Sequence, residues 1–419
     1  MKKLAALLTL IMLASMALAG FAVAESEEQI TLTFWTPTWR KGAEEGIIND
    51  FMAQHPNIVI ETTYMSTDDI KANCKIAASS GTLPDMWYNW GGINSGYYID
   101  NELCYDLTEY AEENNWSEKY LAAALDLCRG SDGHIYCLPQ NLSAVMVWYR
   151  TDIFEECGLE VPTTFAELEA ACDVLLENGY VPFATGGQTG FHISRYMEEL
   201  LEYYCGAEEH DALLNLEADW SQSEGLVKAF EKLVEWAEKG YFQEGFMSED
   251  PNNTKPYVFN GTCAMIMDNP GIVTDIVAGE LDTADYAYFP FPSETGDSVG
   301  RVAAFGKMCQ FNKDITPEKL EAAMLFWDYY YSEESMEIHT AIEQPVAVIG
   351  ASIPEESKLV EGFADTINEC GSFTVFDNIM QPELCDAFYA VTDSVLLGDL
   401  APADAGAEMQ ASIDAYLAN

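Results

Sequence analysis

Several pairs of neighbouring residues combine an aromatic ring with a planar polar group, and their chemistry is the most distinctive in this sequence. The pairs are Trp39–Arg40, Asn89–Trp90, Phe191–His192 and Phe376–Asp377. A sugar ring has an apolar C–H face that an aromatic ring can cover, and hydroxyl groups that both donate and accept hydrogen bonds. The pattern therefore indicates a carbohydrate-binding surface. Each residue also has an alternative role. Any single tryptophan could pack in the core. His192 could have an ordinary role in its loop, and Asp377 could cap a helix.

Motifs of the common enzyme classes do not occur. The chain has no Gly-x-Ser-x-Gly, no phosphate-binding loop, no Gly-x-Gly-x-x-Gly and no His-Glu-x-x-His. Its five histidines never pair at the spacing of metal ligands. We therefore predict no catalytic residue, no metal ligand and no cofactor. A secreted glycoside hydrolase stays open as an alternative, because any two of the 70 acidic residues could meet in space as a carboxylate pair.

The charge balance limits the ligands and partners. The 419 residues include 19 Lys and Arg against 70 Asp and Glu, a net charge of −51, and 49% of them are hydrophobic. This apolar content excludes a disordered chain. The negative field repels phosphate backbones and anionic lipids, so a nucleic-acid partner is excluded and the ligand is expected to be neutral. Arg40 is the one cation that we expect near the ligand.

The first residues have the pattern of a secretory signal. Lys2 and Lys3 precede an apolar run from Leu4 to Ala19, and Ala22-Val23-Ala24 is a small-x-small cleavage site. We therefore expect residues 1–24 to be a signal peptide cleaved near Ala24. The protein would then be exported to the periplasm or the outer surface of a bacterial cell. No cysteine lies in the leader or at the cleavage site, so no thiol for a lipid anchor is expected there.

The eleven cysteines do not have the spacing of a disulfide framework. Their number is odd, their spacings are irregular, and no Cys-x-x-Cys occurs. Cys74 and Cys172 lie on apolar faces of predicted helices, where a thiol packs as a small hydrophobic group. We therefore expect mostly free, buried thiols. One disulfide stays open, between Cys128 and Cys137, because the turn Gly130-Ser131-Asp132-Gly133 lies between them.

Strands and helices alternate in the first part of the chain. The predicted order is strand Ile30–Trp35, helix Gly42–Gln54, strand Ile58–Ile60, a helix from Ser66 or Thr67 to Gly81, and strand Leu83–Tyr88. This order implies a parallel sheet with right-handed crossovers, in which ligands lie beyond the carboxyl ends of the strands. Trp39 and Trp90 follow two such ends. Later strands are predicted at Val145–Tyr149, Cys263–Met267, Ala287–Phe291 and Val302–Phe311, and Thr164–Glu167 is a capping box that begins a helix.

The order of several short motifs along the chain is similar to that of one protein family. The motifs are Thr31–Trp35, Phe51–Pro56, Gly81–Asp85, Asp132–Pro139, Trp148–Phe154, Val161–Leu168 and Phe259–Met265. Each motif is weak alone, but their order together is specific. The chain resembles the extracellular solute-binding proteins of ABC importers, in the carbohydrate class of maltose-binding-protein-like proteins.

The resemblance implies an α/β, two-lobe periplasmic-binding-protein-like fold of type II, with a ligand cleft between the lobes and three interlobe crossings. The implied lobes are residues 25–142 with 301–352, and 143–300 with 353–419. The crossings are expected near Gln140–Ser143, Val299–Ala303 and Ile353–Lys358. The implied function is to bind a neutral oligosaccharide by lobe closure and to deliver it, as a monomer, to the permease subunits of an ABC transporter. A peptide-binding relative of the same fold is a further alternative.

The resemblance also assigns nine ligand-binding positions. They are Trp39, Arg40, Asn89, Trp90, Asn141, His192, Asn269, Phe376 and Asp377. Trp90 and Asp377 are expected to face each other across the cleft. Two features depart from the family pattern. Many relatives have a tryptophan after the glycine equivalent to Gly271, where this chain has Ile272, and the lipid-anchor cysteine is missing.

Overall fold

The computed structural model describes residues 29–292, 300–335, 346–350 and 355–418. The expected signal peptide at residues 1–24 lies outside the described residues, as do Val299 and Ile353, where two of the expected crossings begin. The described strands are β1 (Ile30–Pro37), β2 (Ile58–Met65), β3 (Met86–Trp90), β4 (Cys137–Ala144), β5 (Met146–Arg150), β6 (Val181–Ala184), β7 (Cys263–Asp268), β8 (Tyr286–Phe289), β9 (Val302–Phe311) and β10 (Ser372–Thr374).

These strands form two sheets. The first has the order β10-β9-β3-β1-β2, with β4 also paired to β9, and the second has the order β6-β7-β5-β8. The parallel pairing of β1 with β2 and β3 agrees with the sequence-based expectation. β3 begins at Met86, later than predicted. Pro84 has no N–H to donate to a neighbouring strand, and Asp85 bonds to β1 through its side-chain carboxylate. The Asp85 carboxylate accepts the Thr33 N–H at 2.8 Å and the Thr33 hydroxyl at 2.9 Å.

The α-helices lie between and after the strands. They are α1 (Lys41–Gln54), α2 (Thr67–Ser80), α3 (Ile93–Asp100), α4 (Thr108–Glu113), α5 (Trp116–Lys119), α6 (Ala122–Asp126), α7 (Thr151–Cys157), α8 (Phe165–Glu177), α9 (Phe191–Leu214), α10 (Glu224–Lys239), α11 (Lys255–Phe259), α12 (Gly271–Ala278), α13 (Pro317–Tyr330), α14 (Phe363–Cys370), α15 (Phe376–Ile379), α16 (Pro382–Leu396) and α17 (Pro402–Leu417). The capping box predicted at Thr164 and Glu167 is present at the start of α8.

The chain passes between the two sheets more than once. It leaves the first sheet at the end of β4 and enters the second at β5 through Val145 alone, whose N–H donates to the Ala303 carbonyl at 2.8 Å. It returns to the first sheet at β9. Trp327 of α13, which follows β9, packs edge-to-face on Phe34 of β1 with ring centroids 5.8 Å apart. α16 and α17 then pack on α10, beside the second sheet. Segments far apart in sequence therefore share each core.

Two buried glutamates on α9 accept backbone N–H groups, one from β9 and one from the segment that follows β10. Glu199 Oε1 accepts the Ala303 N–H at 3.0 Å, and Glu198 Oε1 accepts the Phe376 N–H at 2.8 Å. Both glutamate side chains are almost completely buried. Burial raises the pKa of the Glu199 carboxyl well above its usual range, because it removes the water that would solvate the charged form.

We expect Glu199→Gln to flatten the pH dependence of stability. A carboxyl whose pKa is raised on folding binds more protons in the folded than in the unfolded chain, so stability falls as the pH rises through the folded-state pKa. Glutamine does not titrate, and its carbonyl oxygen can still accept the Ala303 N–H. Urea unfolding at several values between about pH 5 and pH 8 should show a smaller loss of unfolding free energy in the variant. Parallel pH profiles would contradict this account.

Candidate functional site

Three aromatic side chains form a row at the ends of β1 and β3. β1 ends at Pro37 and continues into a short 3-10 turn, Thr38–Arg40, which carries Trp39. Tyr88 and Trp90 lie two residues apart on β3, so their side chains point to the same face of the sheet. The ring centroids are 5.8 Å apart for Trp39 and Tyr88 and 4.9 Å apart for Tyr88 and Trp90, both edge-to-face. We call Trp39, Tyr88 and Trp90 the aromatic row.

A lysine lies at each end of the aromatic row. Lys307 Nζ is 4.9 Å from the ring centroid of Trp39, and Lys71 Nζ is 4.8 Å from that of Trp90. The Trp39 side chain is 46% exposed, so the row opens to solvent at that end. The sequence pattern did not indicate either lysine. One feature of the sequence could have indicated Lys307, because it is the single charged residue of the β9 sequence. The structure places it opposite Trp90 in the β3–β9 register.

Arg40, the cation expected at the ligand, is buried beneath the row. Its side chain is 1% exposed and pairs with Glu44 Oε1 at 3.0 Å. Its two terminal nitrogens donate to Gln140 Oε1 and to the Tyr330 hydroxyl, both at 2.6 Å. The guanidinium is also 4.9 Å from the Tyr88 ring centroid. The structure thus gives Arg40 a supporting position under the row, which argues against direct ligand contact.

The two predicted asparagines near the row are buried as well. Asn89 Nδ2 donates to the Asn94 carbonyl at 3.0 Å and to Gln310 Oε1 at 2.6 Å, and this fixes the loop that follows β3. Asn141 lies on β4, directly opposite Lys307 of β9. Its Oδ1 atom is buried and has no hydrogen-bond partner among the residues that the structure describes. A buried acceptor next to a lysine is a place where a ligand hydroxyl could donate.

Asp377 belongs to a charged cluster beside the second sheet. Arg195 of α9 lies between two carboxylates, with its Nη2 3.1 Å from Asp377 Oδ1 and its Nη1 3.1 Å from Glu198. Burial by itself would lower the pKa of Arg195, but the two carboxylates raise it. The Asp377 side chain is 29% exposed. It therefore keeps lone pairs that can accept hydrogen bonds from outside the cluster.

His192 and Asn269 shape loops in this structure. The Gly186 N–H donates to His192 Nδ1 at 3.1 Å, so Nε2 carries the proton that is donated to the Met267 carbonyl at 3.1 Å. Burial lowers the pKa of His192, which favours this neutral form. Asn269 Oδ1 accepts the Gly271 N–H at 2.8 Å, at the start of α12. His192 is almost fully buried, whereas Asn269 is partly exposed.

Phe376 is a core residue, which corrects the expectation that its ring stacks on a ligand. Its side chain is fully buried and packs against Phe388 of α16, with ring centroids 4.3 Å apart. Ile272, which replaces the tryptophan of many relatives, is fully buried too. Neither residue offers a surface to a sugar. Among these predicted positions, the large aromatic rings that reach solvent are those of Trp39 and Trp90.

The loop after Trp90 touches the segment after Phe376. Gly92 has φ +67° and lies so close to the Asn378 carbonyl that a Cβ atom would overlap with its oxygen. Asn94 Nδ2 donates to Asn378 Oδ1 at 3.3 Å. This contact brings the segment after Trp90 next to the segment that contains Asp377. Their face-to-face pairing stays a prediction.

Neither a metal-ligand cluster nor a membrane-spanning helix occurs in the part of the chain that the structure describes. No cluster of three or more His, Cys, Asp or Glu side chains there could hold a metal ion. Within the same residues, no helix is long and apolar enough to cross a membrane.

The sequence matches a known family. A family model described as bacterial extracellular solute-binding protein matches residues 36–337. The alpha-glucosides-binding periplasmic protein AglE of Rhizobium meliloti is 25% identical over 307 residues, which are 68% of this chain and 66% of that protein. An uncharacterized ABC transporter extracellular-binding protein of Pyrococcus horikoshii is 23% identical, over 64% of this chain and 61% of that protein. The matches thus span 61% and 66% of these two relatives' lengths.

Solved structures match over nearly the whole chain. A chitin oligosaccharide binding protein has a TM-score of 0.81 at 20% identity, covering 93% of this chain and 100% of that chain. The solute-binding protein RafE in complex with raffinose has a TM-score of 0.74 at 18% identity, covering 91% of this chain and 98% of that chain. These likenesses confirm the expected α/β, two-lobe fold.

We expect Arg40→Met to destabilise the fold far more than Lys41→Met. Both residues pair with a glutamate four positions on, but the Arg40–Glu44 side chains are 1% and 0% exposed, whereas the Lys41–Glu45 side chains are 52% and 49% exposed. Removing one partner of a buried pair costs about 3 kcal/mol or more. Removing one of an exposed pair costs under about 1 kcal/mol. Urea unfolding measures both, and equal effects would disprove a supporting role for Arg40.

Proposed function

The chain belongs to the bacterial extracellular solute-binding protein family, and from this premise we propose that it binds a neutral oligosaccharide in a cleft and delivers it to the permease subunits of an ABC importer. The observation that supports a sugar ligand is the aromatic row, which opens to solvent at Trp39. The loop after Trp90 contacts Asn378, next to Asp377, through Gly92. Flat rings match the apolar faces of sugars, and a carboxylate can accept hydrogen bonds from two hydroxyl groups of one ring.

The lysines at the ends of the row give the binding mode more detail. Each ammonium group lies over one aromatic face, so a sugar that stacks on that same face of Trp39 or Trp90 must displace it. An ammonium group has three donors, so a displaced lysine can bind the hydroxyl groups of the ring that replaces it. Asn141 Oδ1 is a matching acceptor opposite Lys307. The row thus offers stacking, donors and an acceptor together.

Local charge supports a ligand without net charge. Both arginines near the proposed cleft are already neutralised, Arg40 by Glu44 and Arg195 by Asp377 and Glu198. The whole chain has a net charge of −51, whose field repels anions. Lys71 and Lys307 then act as hydrogen-bond donors to hydroxyl groups. A uronic-acid oligomer is the sharpest comparison, because the same two lysines would favour it if charge were decisive.

The names of similar proteins support the ligand class. The relative AglE and the two solved structures described above are named for alpha-glucosides, chitin oligosaccharide and raffinose. Three different sugars among similar proteins favour an oligosaccharide without indicating which one. We accordingly propose a binding protein without catalytic activity, and a glycoside hydrolase or a peptide receptor would be an outcome of the tests below.

Lobe closure is the proposed mechanism. A ligand that touches both the aromatic row and Asp377 bridges the two lobes, so it binds the closed form more tightly and shifts the population toward it. We propose lobes of residues 25–142 with 301–352 and 143–300 with 353–419. All four strands of the second sheet fall in the second of these lobes, whereas the first sheet also includes β10 of the second lobe. The permease would recognise the closed form. We further propose a monomer that is exported by cleavage of residues 1–24 near Ala24 and that does not bind nucleic acid.

We expect neutral oligosaccharides to raise the melting temperature of the purified protein, because a ligand that binds only the native state stabilises it. A screen should include neutral oligosaccharides, the uronic-acid analogue of each active one, and peptides. X-ray scattering at saturation should show a smaller radius of gyration than without ligand. Stronger stabilisation by a uronic acid or by a peptide would overturn the proposed ligand. Steady release of shorter sugars would indicate a hydrolase, and an unchanged scattering profile would refute closure.

We expect Trp39→Ala and Phe376→Ala to have opposite effects. Trp39→Ala should weaken binding of the best oligosaccharide about tenfold, from the loss of one stacking face. It should leave the melting temperature nearly unchanged, because the ring is 46% exposed. Phe376→Ala should cost about 3–5 kcal/mol of stability as a cavity in the core. The affinity of its folded fraction should stay the same. Calorimetric titration measures the affinity of both variants, and thermal melting measures their stability. Unchanged affinity in Trp39→Ala would contradict a role of the aromatic row in binding.

A further inference from the structure

Arg195 connects the first turns of α9 to the short helix that carries Asp377. Its Nη2 atom lies 3.1 Å from Asp377 Oδ1, and its Nη1 atom lies 3.1 Å from both carboxylate oxygens of Glu198. The Arg195 side chain is 12% exposed and that of Glu198 is 1% exposed. The guanidinium therefore lies between a carboxylate of its own helix and a carboxylate of α15, with little access to water.

Glu198 holds the backbone next to Asp377. Its Oε1 atom accepts the Phe376 N–H at 2.8 Å. The Phe376 ring packs on Phe388 with centroids 4.3 Å apart, so α15 is attached through both its backbone and its core side chain. The rotation of the Asp377 side chain is then the freedom that is left. Arg195 removes this freedom, because its hydrogen bond to Oδ1 holds the carboxylate in one orientation.

The same hydrogen bond leaves the second oxygen of Asp377 to a ligand. A guanidinium donates hydrogen bonds and accepts none, so it occupies Oδ1 without offering a competing acceptor. The Asp377 side chain is 29% exposed, so Oδ2 can accept a hydrogen bond from outside the cluster. The next residue, Asn378, contacts Gly92 and Asn94 in the loop after Trp90. The fixed carboxylate therefore lies next to the place where the two segments of the proposed site meet.

We propose that Arg195 is a positioning residue for ligand binding, which holds the Asp377 carboxylate in the orientation that accepts a hydroxyl hydrogen of the sugar. This inference rests on the proposed function, because it takes Asp377 as a ligand-binding residue. An unpaired aspartate samples several side-chain orientations, and a ligand that requires one of them loses affinity by ordering it. A carboxylate that is already fixed binds without this loss.

The alternative is that Arg195 only ties α9 to α15. Its removal would then lower stability, and its effect on sugar affinity would not depend on whether residue 377 is an aspartate. A double-mutant cycle separates the two roles, because it measures the coupling between Arg195 and Asp377 in the affinity of the folded protein rather than in its stability.

The test compares variants of a chain that carries Glu198→Gln. Glutamine can still accept the Phe376 N–H, and it leaves no buried carboxylate without a counter-charge when the arginine is replaced. The probe is the one among raffinose, maltotriose and chitotriose that raises the melting temperature of the unmodified protein most. We expect Arg195→Met to weaken binding of this probe about tenfold, measured by calorimetric titration against the chain with Glu198→Gln alone.

Two further variants complete the cycle. In the same chain, Asp377→Ala should also weaken binding about tenfold, and Arg195→Met should then add less than about twofold, because no carboxylate is left to position. Arg195→Lys should recover most of the lost affinity, since an ammonium group can still donate to Asp377. Should the methionine variant fail to fold, Arg195→Ala takes its place, because the smaller side chain admits water to the carboxylate.

Arg150→Met is the matched control. The Arg150 side chain is 13% exposed and pairs with Asp152 Oδ2 at 2.6 Å, away from α15. Its replacement should lower the melting temperature and leave the affinity for the probe unchanged. Full affinity after Arg195→Met would overturn the inference, as would an equal loss with and without Asp377. Both results would leave the proposed function intact, whereas an unmodified protein that binds no neutral oligosaccharide would overturn both.

Discussion

The pairing of β9 is the constraint on which the rest of the structure depends. Its ten residues pair antiparallel with β3 and β4 and parallel with β10. β3 carries two rings of the aromatic row, and β10 leads directly into Phe376 and Asp377. One strand therefore sets the distance between the two groups of side chains that we assign to the ligand. A buried strand must satisfy its backbone hydrogen bonds along its length, so β9 cannot shift without breaking several ladders at once.

Arginine and lysine have separate places in this acidic chain. Arg40, Arg195 and Arg301 all pair with carboxylates that are almost fully buried, at distances of 2.9 to 3.1 Å. The planar guanidinium suits such pairs because it donates several hydrogen bonds in a fixed geometry. The lysines at the ends of the aromatic row, Lys71 and Lys307, instead lie over rings at the carboxyl ends of β1 and β3. Their flexible chains can move aside, which is what a site that exchanges an ammonium group for a sugar ring requires.

Packing explains why the site differs in part from the one that sequence neighbours indicated. Trp39 and Arg40 are adjacent, yet the turn after β1 exposes the ring of Trp39 and buries the guanidinium of Arg40. Phe376 and Asp377 are also adjacent, and the short helix α15 sends the ring into the core and leaves the carboxylate partly exposed. Neighbours in a turn or helix point in different directions, so the two side chains of such a pair do not face the same surface.

Local patterns in the sequence determined the alternating strands and helices of the first sheet, the helix that follows the cap Thr164, and the aromatic residues Trp39 after β1 and Trp90 at the end of β3. Those features depend on residues a few positions apart, through backbone periodicity, capping and strand ends. The two-lobe fold was predicted from the order of the family motifs. Only the tertiary structure decided that Lys71 and Lys307 cover the row, that Glu198 and Glu199 bind the backbone around β9 and β10, and that Asn378 meets Gly92. Each of these contacts joins residues of different elements, and their geometry follows from how the sheets and helices pack, which no local pattern records.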